Sequence, residues 1–139
     1  MKVREIMHSN VTWVAPDTTL SKIAKKMRDE DIGAVPVGEN DRLIGMVTDR
    51  DITCRAAANG GDMKKLTARK VMTKNVVWCR DTDDVKVAAR LMESKKIRRL
   101  PVIDENKRMV GMLSLGDFSG QTPKSLSGEI ASAVAAHHA

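Results

Sequence analysis

Val3 to Val37 reads VREIMHSNVTWVAPDTTLSKIAKKMRDEDIGAVPV, and Ala68 to Val102 reads ARKVMTKNVVWCRDTDDVKVAARLMESKKIRRLPV. Set at an offset of 65, the two stretches share Arg4/Arg69, Met7/Met72, Asn10/Asn75, Val11/Val76, Trp13/Trp78, Ala24/Ala89, Met27/Met92, Ile32/Ile97, Pro36/Pro101 and Val37/Val102. Residues 39–53 then match 105–119 at an offset of 66, with one residue inserted after the Pro-Val pair. That block adds Glu39/Glu105, Asn40/Asn106, Arg42/Arg108, Gly45/Gly111, Met46/Met112 and Asp51/Asp117. A self-similarity of this period settles the architecture before local propensity is consulted. Two such copies can pack around a pseudo-two-fold axis and form paired clefts.

Each copy reads as strand, helix, strand, strand, helix. Short extended runs (Val11 to Val14; Val76 to Cys79) precede Asp- and Thr-rich turns. A helix follows, with Leu20, Ile23, Ala24 and Met27 on one face in the first copy and Val85, Ala88, Ala89 and Met92 in the second. Thr18 or Thr19, and Asp83 or Asp84, are the candidate N-caps. Paired strands are expected over Ala34–Val37 and Leu43–Val47, then over Leu100–Ile103 and Met109–Leu113, joined by polar hairpin loops. The second helix of the first copy runs from Asp49–Arg50 toward Ala58 and stops at Asn59-Gly60-Gly61. The expected organisation is a repeat over 1–61, a linker over 62–67, a repeat over 68–122 and an amphipathic helix within 123–139 carrying Leu126, Ile130, Ala133 and Val134. A unit of about fifty residues is marginal alone, so the fold class is α/β (α+β) with two β-α-β-β-α repeats packed sheet to sheet. Met7, Met72, Met46 and Met112 are expected in that shared core.

Composition narrows the function. The chain is 42% apolar and 30% charged over 139 residues, which is a globular balance. No apolar run approaches a membrane span, and Met1 is followed at once by charged residues, so a cytoplasmic location is expected. Cys54 and Cys79 fall at unmatched places in the two copies, against a disulfide framework. His8, His137 and His138 show no ligand spacing, so no metal site is expected. The net charge of +6 has its surplus in the second half, around Arg90, Lys95, Lys96, Arg98 and Arg99, which suits an anionic partner. One Phe, two Trp and no Tyr are too few for a base-stacking platform. A basic nucleic-acid-binding protein is therefore the alternative. An enzyme is disfavoured, because neither Cys has a neighbouring His and no acid pair stands at helix spacing.

The chemistry is concentrated at the end of the last strand of each copy. Gly45-Met46-Val47-Thr48-Asp49-Arg50-Asp51 and Gly111-Met112-Leu113-Ser114-Leu115-Gly116-Asp117 both place a hydroxyl three residues before an Asp. A hydroxyl at a strand end, beside the unpaired N–H groups of a helix start, suits a phosphate. The Asp can accept two hydrogen bonds from a ribose diol, and the glycine permits close backbone approach. Each pair also reads as a helix cap. Trp13 and Trp78, at matched positions, are expected to pack rather than to stack on a base.

With its Val-Arg-Glu-Ile-Met opening, Pro16-Asp17-Thr18-Thr19-Leu20, Ile32-Gly33-Ala34-Val35-Pro36-Val37 and Gly45–Asp51, each with a second-copy partner, the chain resembles the CBS-domain (cystathionine β-synthase domain) family. It resembles in particular a stand-alone tandem pair, or Bateman module, from Val3 to about Ser119. The resemblance implies a non-catalytic regulatory pair that binds AMP, ADP, ATP, NAD or S-adenosylmethionine in clefts between the repeats. It also implies a homodimer, no catalytic cofactor and an output on a protein partner in trans. By resemblance, Thr48 with Asp51 and Ser114 with Asp117 take ribose and phosphate, joined by Arg50, Arg98 and Arg99. Thr12, Val14, Val35, Pro36, Val77, Cys79, Leu100 and Pro101 would wall the base. Gly33-Ala34 stands where the second copy has Arg98-Arg99, and Gly116 stands where the first has Arg50, so two unequal sites are expected.

Overall fold

In the computed structural model, residues 1–119 are described, and the expected C-terminal helix over 123–139 lies outside them. The chain divides into two compact units, whose boundaries are not those of the sequence repeats. The first unit is Thr12–Val76, and the second joins Met1–Val11 to the chain from Val77 onward.

In the first unit, helix α1 (Leu20–Glu30) leads into the antiparallel hairpin of β1 (Ala34–Glu39) and β2 (Arg42–Thr48). Asn40 and Asp41 turn the hairpin at φ 54 and 63, the left-handed pair that matches strand twist. Leu20, Ile23 and Met27 are buried, as their three- and four-residue spacing requires, whereas Ala24 is exposed at the edge of that face. Alternation along β1 sends Val35 and Val37 into the same core. Helix α2 (Asp49–Asp51) continues through a π turn (Ile52–Ala56) and a 3-10 turn (Ala57–Asn59), ending at Gly60 with φ 71. The expected extended run Val11–Val14 reduces to one parallel bridge, Val14 to Val37. Asp62–Thr67 does not run free as a linker. The Leu66 carbonyl accepts from Leu20 N–H (2.9 Å) and the Met63 carbonyl from Ser21 N–H (2.9 Å).

The second unit repeats this plan. Its two-residue strand β3 (Cys79–Arg80) runs parallel to β4 (Arg99–Ile103), which pairs antiparallel with β5 (Met109–Ser114). Here too the extended run is shorter than the expected Val76–Cys79. Helix α4 (Val85–Lys95) is capped by Asp84, whose carboxylate accepts from Lys86 N–H at 2.9 Å, and it buries Val85, Ala88, Ala89 and Met92. Helix α5 (Leu115–Ser119) follows β5 and buries Phe118.

What crosses between repeats is the opening segment. Helix α3 (Ala68–Val71), which begins the second sequence copy, packs in the first unit; the 3-10 turn Val3–Glu5, which begins the first copy, packs in the second. The attachment is the same bond for bond. Ala68 N–H donates to the Thr18 carbonyl (2.9 Å) and Arg69 N–H to that of Pro16 (3.0 Å). Val3 N–H likewise donates to Asp83 (2.8 Å) and Arg4 N–H to Asp81 (3.0 Å). Further on, Thr73 bridges Met46 of β2 and His8 bridges Met112 of β5. This exchange uses neither repeated hydrophobic periodicity nor a long element, which is why the repeat pattern does not announce it.

Candidate functional site

β2 and β5 both end on the motif hydroxyl, at one register. Thr48 stands opposite Ala34 on β1, and Ser114 stands opposite Arg99 on β4. The first motif is a full capping box: Thr48 N–H donates to Asp51 Oδ2 (2.9 Å), and Asp51 N–H donates to Thr48 Oγ1 (3.0 Å). In the second, Ser114 N–H donates to Asp117 Oδ2 at 2.7 Å, and the Ser114 hydroxyl donates to the same oxygen at 3.2 Å. So the Thr48 hydroxyl keeps its proton for another acceptor, while that of Ser114 is turned onto its own Asp.

The second carboxylate oxygens differ more. Asp51 Oδ1 faces the Arg55 guanidinium at 3.7 Å, and Arg55 itself donates to the Val71 carbonyl at 3.1 Å. Asp117 Oδ1 instead meets His8 Nε2 at 2.7 Å; the His8 side chain is 72% exposed and that of Asp117 only 7%. Neither Arg55 nor His8 stood among the site residues expected from the sequence. The matched spacing of position 8 with position 73 is the one trace, and it shows a His where the other copy has Thr.

The arginines are placed unequally, as the sequence differences require. Arg98 and Arg99 are exposed beside Ser114, without an ion pair among the described residues. Arg50 is exposed within the first motif, and its backbone N–H donates to Asp49 Oδ1 at 2.8 Å. Strand alternation divides the residues expected to wall a base. Val14, Val35, Cys79 and Leu100 point into the two cores, so a ligand can meet only their backbone without opening the core. Pro36 and Pro101 lie on the opposite sheet face from Val35 and Leu100 but are buried too, while Thr12 and Val77 are half-buried.

The motif glycines serve packing rather than ligand approach. A β-carbon on Gly45 would stand 2.5 Å from Met72 Sδ and 3.1 Å from the Thr73 carbonyl oxygen. On Gly111 it would collide with the Met7 thioether and come within 2.9 Å of the His8 carbonyl oxygen. Met72 and Met7 pack against the cores, while Met46 and Met112 are half-buried. The Trp13 ring fills the space where a β-carbon on Gly38 would stand, and the Arg80 guanidinium sits 5.7 Å from the centre of the Trp78 ring. Burial pushes the Cys79 thiol up to about 12, helped by the charges of Asp83 and Asp81, which leaves it no thiolate for chemistry at neutral pH. Cys54 is exposed and both thiols are free. Among the described residues no group of three or more His, Cys, Asp or Glu could hold a metal ion, and no helix is long and apolar enough to cross a membrane.

Known proteins share this fold. Hypoxic response protein 1 of Mycobacterium tuberculosis is 37% identical over 87% of this chain and 85% of its own length. A crystal structure of Hypoxic Response Protein I with two coordinated zinc ions superposes with a TM-score of 0.81 at 36% identity, over 88% of this chain and all of that one (100%). CBSX2, solved in complex with AMP, gives a TM-score of 0.72 at 27% identity, covering 84% of this chain and 91% of that one. The CBS domain pair of MJ0100, solved with 5-methylthioadenosine and S-adenosyl-L-methionine, gives 0.75 at 26%, covering 86% and 97%. The family model for the CBS domain matches residues 3–56 and again residues 68–120, and with both copies accounted for the chain belongs to the CBS-domain family.

Proposed function

We propose that this chain is a non-catalytic regulatory module that binds an adenosine-containing ligand at its hydroxyl–Asp turns. The observation that carries the reading is the turn itself, built twice at one register with a largely buried carboxylate and a neighbouring arginine. Relatives solved with AMP, or with 5-methylthioadenosine and S-adenosyl-L-methionine, supply the chemical class. In this reading the Asp51 and Asp117 carboxylates accept ribose hydroxyls. Thr48 and Arg50 at one turn, and Ser114, Arg98 and Arg99 at the other, meet phosphate with charge-assisted bonds. Thr12, Pro36, Val77 and Pro101 contribute to the base environment with the backbone of Val14, Val35, Cys79 and Leu100. ATP, ADP and NAD fit the same groups. The module works as a homodimer in the cytoplasm and passes occupancy to a protein partner in trans.

A differential-scanning screen against AMP, ADP, ATP, NAD, NADH and S-adenosylmethionine tests this. A ligand of the native state present at a hundred times its Kd stabilises by about 2.7 kcal/mol. The Asp51→Ala/Asp117→Ala double variant is expected to lose the ligand-induced rise. A double variant that responds as the parent does would remove these turns from the site.

A further inference from the structure

The two motif aspartates match in sequence but not in what remains of their hydrogen-bonding capacity. A carboxylate offers about four acceptor positions. Among the described residues, Asp51 uses one, for Thr48 N–H. Arg55 Nε, at 3.7 Å, is too far for a hydrogen bond, and the same guanidinium is anchored through Nη1 on the Val71 carbonyl. Asp117 uses three: for Ser114 N–H (2.7 Å), the Ser114 hydroxyl (3.2 Å) and His8 Nε2 (2.7 Å).

A ribose cis-diol donates two O–H bonds. Asp51 can take both as it stands, whereas Asp117 can take both only by releasing a donor it already holds. Ser114 N–H is fixed in the backbone of the turn. Two donors can leave: the Ser114 hydroxyl, by rotating off Oδ2, and His8, which alone among the described residues holds Oδ1 and does so from an exposed side chain. Its backbone cannot follow, because His8 N–H and C=O are both bonded to Met112 at 3.0 Å. The matched position in the first unit is Thr73, whose side chain makes no hydrogen bond among the described residues, so the opening segment there puts no donor on Asp51.

Resting on the adenosine reading above, we infer that His8 is a positioning residue that withholds Asp117 from the ribose diol. The chain as folded therefore takes a ribose first through Asp51, and its second site must break either the His8 bond to Oδ1 or the Ser114 hydroxyl bond to Oδ2. The imidazole and the ribose hydroxyls compete for one oxygen, so occupancy of the second site is coupled to the opening segment that carries His8.

The test is calorimetric titration of the full chain with adenosine, which has the diol but no phosphate. The parent is expected to bind one strong equivalent per chain, lost in Asp51→Asn and kept in Asp117→Asn. His8→Ala should raise affinity at the second site about tenfold, the lower end of what a hydrogen bond to a charged group is worth, because His8 is exposed. His8→Gln, which restores an N–H donor, should gain less. With 2′-deoxyadenosine, which needs only one acceptor, the His8→Ala gain should vanish, and a merely structural role for His8 would not produce that difference. Equal adenosine binding by parent and His8→Ala overturns the inference, as does an equal gain with 2′-deoxyadenosine. A parent that binds no adenosine overturns the ligand reading and this inference together, and is seen before any His8 variant is measured.

Discussion

Gly111→Ala tests the packing of the opening segment on β5. The added β-carbon meets the Met7 thioether, which can rotate away, and the His8 carbonyl oxygen at 2.9 Å, which cannot. That carbonyl accepts from Met112 N–H at 3.0 Å, and His8 N–H donates back to Met112 at 3.0 Å, so the backbone can retreat only by stretching both bonds. Overpacking a fitted interior costs about 1–3 kcal/mol, and each weakened bond about 1 kcal/mol more at most. A loss of about 2 kcal/mol is expected, which for a chain of this size lowers Tm by about 6 °C. Gly116→Ala is the control. Its β-carbon would find only Ser114 Oγ, at 3.8 Å, and alanine favours the helix, so Tm should hold or rise slightly. Hydrogen exchange on both variants should show faster exchange at His8 and Met112 in Gly111→Ala alone. A Gly111→Ala protein as stable as the parent, with those amides still protected, would refute the packing argument.

Three further outcomes follow from the same geometry. Asp84→Ala removes the side-chain acceptor for Lys86 N–H at the start of α4 and should lower the urea midpoint, with Asp84→Asn restoring most of the loss. The buried Cys79 thiol holds its proton more tightly folded, at about 12, than an ordinary thiol at 9.0. Its contribution to stability is therefore full below pH 9 and falls as pH rises from 9 toward 12, a loss that alkaline unfolding should find reduced in Cys79→Ala. Arg98→Ala/Arg99→Ala should weaken AMP at the Ser114–Asp117 turn about tenfold while leaving adenosine unchanged, since only the phosphate needs the guanidinium groups.

The repeated elements were legible because they carry period. Val85, Ala88, Ala89 and Met92 mark their buried face by spacing alone, and Pro36-Val37 and Pro101-Val102 mark strands that pair as expected. Ala24 was misplaced because a helical stripe has edges, and identity with the buried Ala89 hid the difference. The opening segments were out of reach for another reason. Val3–Glu5 and Ala68–Val71 are too short to show a period, and their partners lie in the other sequence copy. For the same reason Gly45 and Gly111 looked like ligand-facing residues: what approaches them is Met72 and Met7, far away in sequence. At the site, the hydroxyl–Asp spacing was legible, and so was the imbalance of arginines. The His8–Asp117 contact was not, because nothing local links a residue near the start of the chain to a carboxylate on α5.

The central claim is that the two hydroxyl–Asp turns are where an adenosine ligand binds. Amide ¹H–¹⁵N correlation spectra recorded across an AMP titration address it most directly. Saturable shifts are expected at Thr48, Arg50 and Asp51 and at Arg99, Ser114 and Asp117, with core amides such as Ile23 and Met92 unmoved. Saturable shifts confined to other surfaces, with both turns silent, would contradict it.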